Sequence, residues 1–196
     1  MFSRLLFFAS LFGSCHVMAQ RGDITQPAAQ EIDYKLIGAP MPRLRYILCH
    51  DTATKKSADG NAVHSDAGNA TVQKPILTNE DLDNGANLFV MMFNPTCSHC
   101  MDETILLEKN GELFKRSKIA LLANPVMKAY VGDFVKNTHI DQYPSFMYLG
   151  IDSADFINKV FLYRPLPQIN IYDKNRKLIK IFTGEVVIDS LSKYIQ

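Results

Sequence analysis

The sequence predicts an α/β sandwich in which helices flank a mixed central β-sheet. Strand-like and helix-like segments alternate between residues 88 and 162, a pattern typical of parallel strands joined by helices. Two short apolar strands then surround the polar tetrad DKNR at residues 173–176, which predicts an antiparallel hairpin. Because both kinds of strand pairing are expected, the sheet should be mixed.

The individual elements follow from short apolar runs and from the helical patterns between them. The runs predict strands at 44–49, 88–93, 118–123, 168–172 and 178–182, and a strand or turn at 146–149. The helical patterns predict helices at 97–109, 127–137, 154–162 and 187–195. Thr78 and Asp81 form a capping-box pattern, which predicts one helical turn closed by Gly85. Residues 20–42 contain proline breakers and residues 51–74 have almost no large apolar side chains, so we expect irregular structure and a solvated loop there.

The composition predicts one ordinary globular core and gives no sign of a nucleic-acid partner. Of the 196 residues, 47% are hydrophobic and 21% are charged, which is enough apolar material for one core. The formal net charge is +1. The chain therefore lacks the strongly basic balance that is typical of proteins that bind nucleic acid.

The segment 1–19 is typical of a secretory signal peptide. Arg4 precedes the apolar run at 5–12, and Val17 and Ala19 supply small residues for a cleavage site. The run is too short to span a bilayer. An alternative is a lipoprotein signal, in which Cys15 becomes the lipidated first residue. Both interpretations predict an exported protein that is periplasmic or envelope-associated, and the second adds a lipid anchor at Cys15.

Export changes how the four cysteines are interpreted. Without Cys15, three remain, which is too few for a small scaffold held together by disulfides. Cys97 and Cys100 form a local pair, and Cys49 is left over as a small apolar residue, a thiol or a partner in a second disulfide. The hydrophobic core must therefore hold the fold.

The pair Cys97 and Cys100 lies where a buried strand is expected to end and a helix to begin. Free backbone N–H groups and the helix dipole stabilise an anion at a helix N-terminus, so a thiolate is favoured at Cys97. Cys100 follows one turn later on the same helix face, within reach of a disulfide. Ser98 and His99 fill the gap, and a protonated His99 would further favour the thiolate. This arrangement suits thiol-disulfide exchange, with Cys97 as the nucleophile and Cys100 as the resolving thiol.

At these residues the sequence resembles the thioredoxin-like superfamily, in particular its exported thiol-disulfide oxidoreductases of the TlpA and ResA type. The matching pieces are the strand LFVMMFN with PTCSHC, the later LPQINIYDKNRKLIKIFTGE and the upstream GAPMPRL. The resemblance covers about residues 75–196 and implies a thioredoxin-like three-layer sandwich there, preceded by an extension at 20–74 with a short strand and a polar loop.

The resemblance also implies the composition of the site. Pro167 stands where the family has a cis proline opposite the cysteine pair, and the backbone of Leu166 would pair with a substrate strand. Glu103 stands where the subgroup often has an acid that tunes the pair, although a solvated first-turn acid is the alternative. Thr96 and Ser98, beside the cysteines, would contact the substrate.

The same resemblance defines the expected partners and cofactors. Protein thiols and disulfides would be the substrates, a membrane-bound protein would donate electrons, and the protein would act as a monomer. No metal or organic cofactor is expected, because the redox-active group is the Cys97–Cys100 disulfide itself.

The sequence departs from the family pattern at three points. It contains no Trp, and Thr96 stands where thioredoxins usually have an aromatic residue before the first cysteine. Met91 stands near the position of their buried aspartate and cannot take up a proton. Ser98 and His99 match neither the Gly-Pro of thioredoxin nor the Pro-His of the oxidant DsbA, so the direction of electron flow stays open.

Other interpretations of the cysteine pair also stay open. It could be half of a zinc site or a static disulfide, although there is no second CxxC motif. A thioredoxin-like carrier could bind copper or zinc through Cys97, Cys100 and His99 without redox turnover. A further interpretation, peroxidase activity on the related peroxiredoxin fold, has less support, because the peroxiredoxin pattern P-x-x-x-T-x-x-C fits neither cysteine of the pair.

Overall fold

The computed structural model describes residues 31–49 and 75–196. The predicted signal segment, Cys15 and the polar loop at 51–74 lie outside the described residues. In the part of the chain that is described, no helix has both the length and the apolar character that crossing a membrane requires.

The described residues form seven strands and four α-helices. The strands are β1 (Arg45–Leu48), β2 (Ile76–Thr78), β3 (Leu88–Phe93), β4 (Lys118–Ala123), β5 (Met147–Asp152), β6 (Gln168–Tyr172) and β7 (Leu178–Thr183). The helices are α1 (Ser98–Lys109), α2 (Val131–Thr138), α3 (Phe156–Val160) and α4 (Ile188–Ser192). Short 3-10 segments occupy Gly111–Leu113, Pro125–Tyr130 and Ile140–Gln142.

The strands form one mixed sheet in the order β2-β1-β5-β4-β3-β6-β7. β3, β4 and β5 are parallel, whereas the remaining neighbours are antiparallel. The expected α/β architecture with a mixed central sheet is therefore confirmed. The hairpin of β6 and β7 is also as expected, and the Asp173 carboxylate closes its turn by accepting hydrogen bonds from the N–H groups of Asn175 and Lys177.

The sheet carries a hydrophobic core on each face, and β3 contributes to both. All six residues of β3 are buried, because the strand is central and helices cover both of its faces. Phe89, Met91 and Phe93 pack into the core shared with α1, α2 and α4. Leu88, Val90 and Met92 face the opposite core, which contains α3.

Several expected elements differ from the observed ones in extent or kind. The segment expected as one helix at 127–137 begins as a 3-10 turn, because Pro125 and the Asn124 side chain start the turn before α2 begins at Val131. α3 and α4 are shorter than expected. The strand or turn expected at 146–149 is a full central strand, β5.

The capping-box pattern at Thr78 does not start a helix, so that expectation is wrong. The Asp81 carboxylate accepts hydrogen bonds from both the N–H and the hydroxyl of Thr78, but the following residues form turns. Thr78 itself ends β2, a strand that the sequence did not predict. Pairing with β1 decides its conformation, and Gly85 closes the turns with φ 69°.

Candidate active site

The end of β3 is shaped by an asparagine that fixes the approach to the first cysteine. The Asn94 side-chain oxygen accepts hydrogen bonds from the N–H and the hydroxyl of Thr96, both at 3.0 Å. The Asn94 carbonyl accepts a further bond from the Cys97 N–H at 3.0 Å. This closed turn converts the strand into a helix start within four residues, and it places Cys97 as the N-terminal cap residue of α1 with φ −90° and ψ 121°.

The two cysteines differ strongly in their exposure to solvent. Cys97 is partly exposed, whereas Cys100 is fully buried, and no disulfide joins them in the structure. Burial raises the pKa of the Cys100 thiol to about 12, and its neighbours Cys97 and Glu103 add to the shift, although a hydrogen bond with the Asn94 backbone opposes it. An accessible sulfur and a shielded sulfur therefore lie next to each other on the first turn of α1.

Glu103 lies one turn after Cys100 on the buried face of α1. Its side chain is 2% exposed, so the solvated alternative is wrong. One carboxylate oxygen, Oε2, accepts a 3.0 Å hydrogen bond from the Val186 N–H, and the other, Oε1, is buried without a hydrogen-bond partner. Burial raises the pKa of Glu103 to about 7, partly opposed by the Val186 bond and reinforced by the Glu185 carboxylate.

His99 and Ser98 point away from this buried face. Both are exposed, and the His99 Nδ1 atom contacts the Glu185 carboxylate, which belongs to the connection between β7 and α4. Sequence reasoning did not identify this partner, because 86 residues separate the two side chains.

The Leu166–Pro167 peptide bond is cis, as the resemblance led us to expect. Pro167 is buried and directly precedes β6, whose first residue, Gln168, pairs with Met92 near the end of β3. The Gly184 N–H donates to the carbonyls of both Pro165 and Pro167, at 3.0 and 2.8 Å. The proline segment therefore lies at the same end of the sheet as the cysteine pair.

An apolar groove opens beside the ends of β3 and β4. Its volume is about 290 Å³. It is lined by Met92, Phe93, Asn94, Asn124, Val126, Met127, Ile157, Asn158, Phe161, Tyr163 and Leu166. Val126 and Tyr163 are 80% and 78% exposed, and none of the lining residues is charged.

The site thus unites most of the residues that the sequence singled out. Cys97, Cys100 and Glu103 share one helix, and Pro167 lies at the same sheet end. Thr96 belongs to the turn that leads into the helix. Asn94 was missed, although an asparagine directly after a buried strand is a turn signal that could have indicated it. Cys49 lies apart at the end of β1, where it is partly buried against the core.

The chain is similar in fold to solved structures of thiol-disulfide oxidoreductases and related exchange proteins. The thioredoxin domain of a thiol-disulfide oxidoreductase from Bacteroides vulgatus is 14% identical with a TM-score of 0.56, over 82% of this chain and 99% of that one. A candidate protein disulfide isomerase from Bacteroides thetaiotaomicron is 17% identical with a TM-score of 0.57, over 84% and 91%. A thiol:disulfide interchange protein from a Bacteroides species is 14% identical with a TM-score of 0.54, over 82% and 90%.

These likenesses establish the fold of the chain. It is thioredoxin-like, as the sequence predicted. No protein-family model matches the sequence, and no curated protein matches it. The function must therefore be argued from the site itself.

Proposed function

We propose that this protein is an exported thiol-disulfide oxidoreductase, which exchanges electrons with protein partners through Cys97 and Cys100. The observation that carries the proposal is the unequal exposure of these two sulfurs on the first turn of α1. A partner can reach Cys97 but not Cys100. The thioredoxin-like fold supports this interpretation, because the pair lies at a strand-to-helix junction, at the end of the sheet where the cis proline also lies.

In the reducing direction the reaction has two exchange steps. The Cys97 thiolate attacks one sulfur of a partner disulfide, which breaks the partner's S–S bond, forms a mixed disulfide and releases one partner thiol. The Cys100 thiolate then attacks Cys97 Sγ, forms the Cys97–Cys100 disulfide and releases the second partner thiol. Two electrons pass to the partner, and the same steps in reverse oxidise a dithiol.

The second step needs a group that takes the proton from Cys100, and we assign this role to Glu103. A buried thiol with a raised pKa is a poor nucleophile until it loses its proton. Glu103 is buried, interacts electrostatically with Cys100 and has one carboxylate oxygen with no hydrogen-bond partner. It is thus suited to act as the general base for the resolving thiol.

The partner's chain would lie beside the cysteine pair at the proline segment. Leu166 offers backbone groups for an extended substrate strand and also lines the apolar groove. Thr96 and Ser98, both exposed next to Cys97, would meet the same partner. The groove carries no charge, so a neutral, apolar residue near the partner's cysteine suits it.

The cellular setting of the proposal rests on the N-terminal sequence. The signal-like segment at 1–19 supports a location in the periplasm or at the cell envelope, with Cys15 as the alternative lipid anchor. There, a monomer that reduces partners must itself be reduced again, and we propose a membrane-bound electron donor for that step.

A trapping experiment tests the proposal. In the full chain carrying Cys100→Ser, Cys97 should form a stable mixed disulfide with an unfolded protein that contains a disulfide, and mass spectrometry should locate it at Cys97. Cys49→Ser in the same background should leave the adduct unchanged. If Cys100→Ser forms no adduct, or forms it through Cys49, the proposed exchange is wrong.

A further inference from the structure

A group of three metal-binding side chains lies on the outer face of the helix that carries the cysteine pair. It consists of a ring nitrogen of His99 and carboxylate oxygens of Asp102 and Glu185, and these atoms all lie within 4.8 Å of one another. His99 and Asp102 are three residues apart near the start of α1, so they share one face of the helix. Glu185 comes from the connection between β7 and α4.

A second observation at the same place concerns a buried oxygen atom. A cavity of about 680 Å³ is lined by Asp102, Glu103 and Glu185, together with apolar residues of α1 and of the segment before α4. Glu103 borders this cavity, and its side chain is only 2% exposed. Its Oε1 atom has no hydrogen-bond partner. A buried polar atom in that state costs free energy, and native proteins normally provide a partner for it.

The described side chains do not supply enough positive charge to neutralise both carboxylates of the cluster. His99 contacts Glu185, and it can balance at most one carboxylate when it is protonated. The side chains of Lys and Arg make no ion pair with Asp102 or Glu185 among the described residues. A divalent cation would neutralise both acids at once.

We propose that His99, Asp102 and Glu185 bind a divalent transition-metal ion such as Zn²⁺. One imidazole nitrogen and two carboxylate oxygens form a ligand set that suits Zn²⁺, with ligand distances of about 2.0–2.2 Å. Small rotations of these exposed side chains would bring the three ligand atoms to tetrahedral spacing around one ion. Three protein ligands leave a fourth position for water. The site contains no thiolate, so it differs from a metal centre built on the cysteine pair.

The bound ion would link α1 to the connection that follows β7. That connection includes Val186, whose N–H donates to Glu103. The metal would therefore hold this segment against the helix beside the buried acid. It would also fix the His99 side chain, which stands between the two cysteines in the sequence.

The test uses the full chain and Zn²⁺ alone, in a Cys97→Ser and Cys100→Ser background that removes binding by the pair. We expect one Zn²⁺ per chain by calorimetry. Asp102→Asn and Glu185→Gln should each weaken the affinity at least about tenfold, because even the loss of a group behind a metal ligand often costs 10–100-fold. Asp133→Asn, which changes an exposed acid on α2, should bind as the background does.

Two results would overturn the proposal. The first is a lack of saturable Zn²⁺ binding in the background that carries Cys97→Ser and Cys100→Ser. The second is binding that neither Asp102→Asn nor Glu185→Gln weakens, since the ion would then lie elsewhere. The His99 imidazole signals in an NMR spectrum provide a second readout in the wild-type chain: they should shift with one equivalent of Zn²⁺, and unmoved signals would contradict the site. Because calorimetry does not need redox turnover, failure here is distinct from failure of the exchange reaction.

Discussion

Glu103 and Val186 are joined by a hydrogen bond that connects the helix of the cysteine pair to the segment before α4. The Val186 N–H donates to Glu103 Oε2 at 3.0 Å, and the other carboxylate oxygen is buried without a partner. Glu103 therefore has a fixed orientation and a spare acceptor beside Cys100. This relationship gives the acid a role in proton transfer that an exposed first-turn glutamate would not have.

Replacing Glu103 by Gln should slow the second exchange step. The amide keeps the shape of the side chain but cannot take the proton of Cys100, and general-base groups typically contribute about 100-fold or more in rate. The lifetime of the mixed disulfide, followed by rapid quenching and mass spectrometry, should lengthen accordingly, whereas its formation through Cys97 should change less.

The matched control for that prediction is Glu108→Gln. Glu108 is also a buried acid of α1 with a raised pKa, but it lies more than one helical turn further from the cysteines than Glu103 does. An equal slowing in both variants would show that the loss of a buried charge on α1, and not proton transfer at Cys100, explains the effect.

Val126→Asp should impair exchange with protein substrates while leaving exchange with a small disulfide unaffected. Val126 is 80% exposed at the rim of the apolar groove, so the change places a charge against an apolar partner without disturbing the core. We expect kcat/KM for an unfolded protein disulfide to fall about tenfold, and the rate with glutathione disulfide to stay within twofold, consistent with a loss of about 1.4 kcal/mol of binding.

Ile37→Asp is the control for the groove. Ile37 is 64% exposed and does not line it. If both aspartate variants lower kcat/KM to the same extent, or if Val126→Asp has no effect, the groove does not contact the substrate.

Glu108 should make the protein less stable as the pH rises. Burial, reinforced by the nearby Asp141 carboxylate, raises the folded-state pKa of Glu108 from 4.5 to about 7. Between these values the folded protein keeps a proton that the unfolded chain has lost, so the free energy of unfolding falls as the pH increases through this window and levels off above it.

Glu108→Gln should remove the contribution of Glu108 to this pH dependence. The difference in the free energy of unfolding between the variant and the wild type should therefore change by about 1–3 kcal/mol between pH 4.5 and 7.5. Urea unfolding at several pH values measures it. Glu112→Gln, which changes an exposed acid in the 3-10 segment Gly111–Leu113 just after α1, should follow the wild-type curve. A Glu108→Gln curve parallel to that of wild type would contradict the raised pKa.

The sequence could predict the parts of the fold and site that depend on local pattern. The fully apolar run of β3, followed within a few residues by two spaced cysteines, predicted a buried strand and a helix start with Cys97 at its N-terminus. The polar tetrad between β6 and β7 predicted the hairpin. Each of these features is determined within a few neighbouring residues.

The sequence could not predict features that depend on distant contacts. β2 is three residues long and forms because β1 lies beside it. The burial of Glu103 depends on Val186, and the neighbourhood of His99 depends on Glu185, more than 80 residues away in both cases. The buried Glu103 and Glu108 look like ordinary polar helix positions until the rest of the chain covers them.

The most direct test of the exchange function is a redox titration of the Cys97–Cys100 pair. The chain carrying Cys49→Ser is equilibrated in glutathione or dithiothreitol buffers, and its thiols are trapped and counted by mass. We predict a single two-electron transition, with a tenfold change in the reduced-to-oxidised ratio for about every 30 mV. A midpoint near or below about −270 mV would identify a reductant, and one near about −120 mV a disulfide donor. A pair that stays reduced, or stays oxidised, across this whole range would contradict thiol-disulfide exchange as the function of the protein.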